Sequence, residues 1–146
     1  MKWVTRARPK TDRIACPWLI RRFIDPEAEI LYVPSSDVLA VAAAEGAHSF
    51  DTPGAAYDHR DGKCTFEVLI DEYDLADPAL DRLALIVHAA DIDTELHTDP
   101  FGPALLALAF GGLDVEADDH RLLDRASFVY DALYAWCARQ VAATPA

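Results

Sequence analysis

Residues 77–93, D-P-A-L-D-R-L-A-L-I-V-H-A-A-D-I-D, constrain the fold more than any other stretch. Asp77-Pro78 reads as an N-cap followed by proline at the first helical position, where the missing N–H costs nothing. Leu80, Leu83, Ala84 and Val87 recur at helical spacing and form one apolar stripe. At about 100° per residue, Asp91 continues the centre of that stripe and His88 lies on its edge. An ionisable pair on a side that should be buried needs partners, or it destabilises the fold. A cap, a mutual hydrogen bond or a shared metal ion would each satisfy it.

The rest of the chain reads as a small β-sheet from the N-terminal third, packed with a mainly helical C-terminal two-thirds. The fold class is α+β or α/β, one domain over residues 1–146. Lys2–Arg6 has the composition of a short strand. Residues 11–24 look helical, with Pro17 either bending the helix or standing at a first helical position with Cys16 as N-cap. In the second case the helix end would lower the Cys16 pKa; otherwise Cys16 is a buried, inert thiol. Glu29–Pro34 has strand composition, an Ala-rich helix starts near Ser35 and stops at Gly46, and His48–Asp51 makes a third short strand. A turn-rich loop over 52–63 precedes a helix over Cys64–Tyr73. After the 77–93 helix, Pro100–Pro103 opens a short apolar helix ending at Gly111-Gly112. The last helix, about Asp118–Val141, is apolar nearly all round, which predicts a homo-oligomer.

Charge is unevenly distributed. Residues 1–22 carry a net +6 and the remainder a net −18, together the overall −12. Such an acidic chain is a poor nucleic-acid binder, because phosphate contacts supply most non-specific affinity. The basic segment either salt-bridges to the acidic body or builds an oxyanion site from Arg6, Arg8, Arg13, Arg21 and Arg22. No apolar run approaches the roughly 20 residues of a membrane span, so no membrane association is expected. No apolar segment follows the basic N-terminus, so no secretory signal is expected. Three widely spaced cysteines without a CxxC suit a reducing cytoplasm.

Side chains able to do chemistry gather in the loop and the two helices after it. His59, Cys64 and Glu67 are spaced so that the last loop turn and the first helical turn can converge. His88 and Asp91, three apart, can face one point from a single helix. A divalent metal held by His59, Glu67, His88 and Asp91 follows from this spacing; mixed His/carboxylate ligation suits Fe, Mn or Zn, and a thiolate shifts the choice toward Zn. His97 and His120 read as solvent-facing, and His48 either joins the site or caps its strand. No Gly-rich phosphate loop, G-x-S-x-G elbow or HExxH is present.

Three motifs carry a resemblance: W-V-T-R-A-R-P-K-T-D-R-I-A-C-P-W-L-I-R-R-F-I-D-P-E-A, F-D-x-P-G-A-x-x-x-H with C-T-F-E, and D-P-A-L-x-x-L-A-x-I-V-H-A-A-D. They resemble the chromate-resistance domain, the family that forms the C-terminal half of ChrB-type regulators and also occurs as stand-alone chains. The resemblance runs from about Trp3 to Asp131–Ala135. It implies a part in bacterial resistance to chromate, or in sensing chromate or a related small oxyanion. No counterpart of the regulators' DNA-binding half is seen, so direct DNA contact is not expected. Two functional classes follow: a metal-binding or oxyanion-sensing module, and a metalloenzyme with Cys16 or Cys64 as a reducing or nucleophilic thiol. A third leaves the polar cluster merely satisfied within a structural or interaction domain.

Overall fold

The computed structural model describes residues 1–144. Three parallel strands open the fold: β1 (Lys2–Arg6), β2 (Glu29–Val33) and β3 (His48–Ser49), in the spatial order β2-β1-β3. The register pairs Lys2 with Glu29 through Arg6 with Val33 on one side, and Trp3 with His48 and Val4 with Ser49 on the other. Parallel neighbours require crossovers. Helix α1 (Asp12–Leu19), continuing into a π-type turn over Ile20–Ile24, supplies the first, and α2 (Val38–Glu45) the second. Gly46, at φ 62°, takes the left-handed C-cap that ends α2.

Helices dominate the remainder: α3 (Thr65–Glu72), α4 (Pro78–Asp91), α5 (Gly102–Val115) and α6 (Asp119–Ala143). The expected α+β architecture is therefore observed. Helix α4 starts as its sequence dictates. Asp77 Oδ1 accepts from the amides of Ala79 (2.8 Å) and Leu80 (3.4 Å). Its Oδ2 takes the hydroxyl of Tyr134 at 2.5 Å, tying the start of α4 to α6. Leu80, Leu83, Ile86 and Val87 are wholly buried and put α4 at the centre of the helical layer.

Of the two readings of residues 11–24, the structure shows the one with Pro17 inside the helix: α1 begins at Asp12, and Cys16 is a buried residue within it, not an N-cap. A proline within a helix leaves the carbonyl four residues earlier without its donor. Here that carbonyl belongs to Arg13, and the phenol of Tyr32 on β2 donates to it at 2.7 Å. The sheet thus supplies the hydrogen bond that Pro17 removes. One expectation is corrected: α5 runs through Gly111-Gly112 to Val115. Its final carbonyls find a donor in Arg8, which bonds the oxygens of Leu113, Glu116 and Ala117 at 2.7–2.8 Å. Gly112 also lets Leu122 approach, since a Cβ there would sit 3.1 Å from its Cδ1.

No described helix is long and apolar enough to cross a membrane. Replacing Tyr32 with Phe should cost about 1 kcal/mol in urea denaturation, the price of one unmet partly buried hydrogen bond. An unchanged midpoint would mean the Arg13 carbonyl is satisfied otherwise.

Candidate functional site

Parallel α/β sheets present a crevice beyond the carboxyl ends of their strands, where neighbouring strands send the chain apart. Here that point lies between β1 and β3. The chain leaving β1 turns through Thr11 into α1 and goes on to β2, whereas β3 lies on β1's other flank. Both turns are unusual in backbone: Thr11 has φ 46° and Asp51, just past β3, φ 51°. Non-glycine residues rarely adopt such values, though Asp tolerates them better than most. Each places a polar side chain at the mouth of the crevice.

Four segments meet there. Asp12 opens α1, Asp51 follows β3, His59 comes from the loop over 52–63, and Asp91 closes α4. One donor atom from each lies within 4.8 Å of all the others. His59 Nε2 is 2.9 Å from Asp91 Oδ2, 3.4 Å from Asp51 Oδ1 and 3.6 Å from Asp12 Oδ2. The loop is pinned to β3, so His59 is held rather than dangling. Ala56 N donates to Ser49 Oγ at 2.9 Å, Tyr57 N to Ser49 O at 3.1 Å, and Asp51 N to Tyr57 O at 2.8 Å.

The carboxylates are individually fixed. Asp12, fully buried, accepts the Thr65 amide on Oδ2 at 2.7 Å, while its Oδ1 is buried with no hydrogen-bond partner. Asp51 Oδ1 accepts the Thr65 hydroxyl at 2.9 Å, and Asp91 Oδ1 the Thr11 hydroxyl at 2.5 Å. Three carboxylates this close and this buried repel one another strongly. Burial, then the charge of Asp91, drives the Asp12 carboxyl well above its ordinary range. Burial also works against ionised Asp91, yet the hydrogen bonds from His59 and Thr11 prevail and lower its pKa. The same three carboxylates push the His59 imidazole up to about 12, Asp12 contributing most, so protonated His59 serves as their cation.

A second cluster lies alongside. Cys64 is the N-cap of α3, Glu67 stands in its first turn, and His88 is one turn before Asp91 on α4. His88 Nδ1 is 2.5 Å from Glu67 Oε1, which also accepts the Cys64 amide at 3.0 Å. Thr65 joins the two groups, since its amide and hydroxyl serve Asp12 and Asp51 while its neighbours Cys64 and Glu67 face His88. The four residues expected to share one metal, His59, Glu67, His88 and Asp91, are thus divided two and two. Asp12 and Asp51 were not anticipated. Their signal was positional, an Asp opening the helix after β1 and an Asp two residues past β3, strands whose parallel pairing no periodicity reveals.

The five arginines do not converge. Arg6 and Arg13 approach Asp51 Oδ2 at 3.7 and 3.6 Å, and Arg6 Nε donates to the Asp51 carbonyl at 3.1 Å. Arg8 serves the end of α5 and Asp119, Arg21 bonds the Ala28 carbonyl, and Arg22 pairs with Asp131 over the ring of Tyr134. Cys16 and Cys64 are wholly buried, and burial raises both thiols well above their usual range, the opposite of an activated nucleophile. His48 packs at a tilt against Trp3, ring centroids 4.6 Å apart, and belongs to neither cluster, while His97 and His120 are exposed.

Thr65→Val keeps the side chain's shape and removes the buried hydroxyl that serves Asp51. It should destabilise the protein by about 1–3 kcal/mol in denaturant titration, and no loss would mean that the hydroxyl does not position the carboxylate.

Comparison with known proteins identifies the family of the chain. No solved structure matches the chain. A curated relative, "Protein ChrB" of Cupriavidus metallidurans, is 37% identical over 135 residues, covering 91% of this chain but 40% of the relative's own length. The family model described as "ChrB, C-terminal domain" matches residues 3–137, a span that takes in every side chain of both clusters. The chain belongs to the ChrB C-terminal domain family.

Proposed function

We propose that this domain binds one divalent cation in the cup formed by Asp12, Asp51, His59 and Asp91, as part of a cytoplasmic role connected with chromate resistance. The observation that carries the reading is the unpartnered, fully buried Oδ1 of Asp12 beside two further carboxylates and an imidazole. A buried carboxylate oxygen without a donor costs free energy unless something cationic meets it. Three carboxylate donors with one imidazole suit manganese or iron, with zinc also compatible. The ion would displace the proton of His59 and take over its part as counter-charge. Arg6 and Arg13, against the outer oxygen of Asp51, would offset the remaining negative charge.

Family membership supports the link to chromate resistance. The three free, buried cysteines support a reducing compartment. A second reading makes the site a sensor for chromate or a related small oxyanion. It is favoured by Arg6, whose side chain is 36% exposed at the edge of the cup and has guanidinium donors to spare. The two readings are compatible, because a cation and an arginine side by side attract an oxyanion together. A homo-oligomer is supported by Leu108, Val115 and Phe128, which leave apolar surface on α5 and α6.

The metal reading is tested with Mn²⁺, a hard ion poorly suited to the neighbouring cluster with its cysteine sulfur. Equilibrium dialysis with elemental analysis should find about one Mn²⁺ per chain. Asp91→Asn and His59→Ala should each weaken binding at least tenfold, as loss of a direct ligand exceeds the loss seen for supporting residues. Binding only to the folded state should also raise Tm, by about 2.7 kcal/mol of stability at a hundredfold excess over Kd. Wild-type protein that retains no Mn²⁺ would contradict the proposal. In that case a Tm raised by sulfate or chromate alone, and lost in Arg6→Ala, would favour the oxyanion reading.

A further inference from the structure

Cys64, Glu67 and His88 are left over once the carboxylate cup has been accounted for. One donor atom of each, sulfur, oxygen and nitrogen, lies within 4.8 Å of the other two. They come from both sides of the α3–α4 contact, so the cluster is made by the fold and not by a single helix turn. We propose that these three side chains form a second metal site, separate from the cup, for a borderline-soft divalent ion of the zinc class.

Three features of the cluster point the same way. First, its donors match: a thiolate, an imidazole and one carboxylate are the ligand types that zinc takes, whereas manganese and magnesium prefer all-oxygen or oxygen-rich sets. Second, charge balances: one thiolate and one carboxylate neutralise a divalent ion, so the complex can sit in a buried setting without a further counter-charge. Third, the ligands are held in place. Cys64 occupies the N-cap of α3 in a capping box, its sulfur facing the Glu67 amide while the Glu67 side chain returns to the Cys64 amide. Glu67 Oε1 meets His88 Nδ1 at 2.5 Å, so the two ligands from facing helices are already drawn together.

Accessibility distinguishes the site's two sides. Cys64 is wholly buried, whereas the side chains of Glu67 and His88 are 19% and 20% exposed. Three protein ligands at one partly open edge leave a fourth position to water or a small ligand, the arrangement of catalytic rather than structural zinc sites. The position lies one helical turn from Asp91 along α4, so occupants of the two sites would feel each other's charge.

Cobalt(II) is the probe, because sulfur ligation gives it a near-ultraviolet charge-transfer band that oxygen and nitrogen ligands do not. Titrated under reducing, anaerobic conditions, the full chain should show that band rising to saturation. Cys64→Ser should abolish it, and Glu67→Gln or His88→Gln should shift its saturation to at least tenfold higher cobalt. His59→Ala should keep the band, though its midpoint shifts with the charge of the neighbouring cup, which separates this result from loss of the cup. Circular dichroism confirms that each variant is folded, and Glu67→Gln is the mildest of them. A wild-type protein without the band, or a band that survives Cys64→Ser, would overturn the proposal.

Discussion

The proposed function depends on keeping three carboxylates together beyond the ends of β1 and β3. Asp12, Asp51 and Asp91 come from three distant parts of the chain, and their mutual repulsion opposes the fold that gathers them. The fold pays with specific donors. Thr11, Thr65 and the Thr65 amide each serve one carboxylate, and His59 carries a proton among all three. Even so, one oxygen of Asp12 is left with nothing. Proteins that want only stability replace such clusters by apolar contacts at little cost. The proposed cation site would account for the cluster's place at the mouth of a parallel sheet, since a divalent ion would supply the missing counter-charge.

The surrounding architecture explains how the cup is held still. The central strand β1 is sandwiched between β2 and β3, so Thr11 and Asp12 follow from the most constrained strand of the sheet. The α1 helix that carries Asp12 tolerates its internal Pro17 because Tyr32 on β2 repairs the missing bond. On the other side, α4 is fixed by its Asp77 cap, by the Tyr134 bond to α6 and by a fully buried stripe ending one turn before Asp91. Thr65 then couples the cup to the first turn of α3. The proposed thiolate-bearing site shares that turn, so the two clusters are neighbours by construction.

Much of this was legible in the sequence where local rules dominate. The Asp77-Pro78 cap, the Leu80–Val87 stripe and the polar continuation at His88 and Asp91 all stand as the spacing predicts. The strands at Lys2 and Glu29 and the left-handed stop at Gly46 were equally plain. What failed were inferences that needed a partner from elsewhere in the chain. The stop expected at Gly111-Gly112 is one: α5 runs on through both glycines, and Arg8 serves its end from far away in sequence. The division of the expected ligands between two clusters, and the entry of Asp12 and Asp51, follow from strand pairing, which no single segment encodes. Grouping the arginines by sequence proximity overlooked that neighbouring residues on a strand, a turn and a helix point in unrelated directions.

The most direct measurement is anomalous diffraction at the manganese edge from crystals of the protein grown with Mn²⁺. A single peak within ordinary coordination distance of Asp12, Asp51, His59 and Asp91 is the result predicted here, with the Asp12 oxygen that lacks a partner among its ligands. Well-ordered crystals with His59 Nε2 still against Asp91 and no peak among the carboxylates would contradict the account.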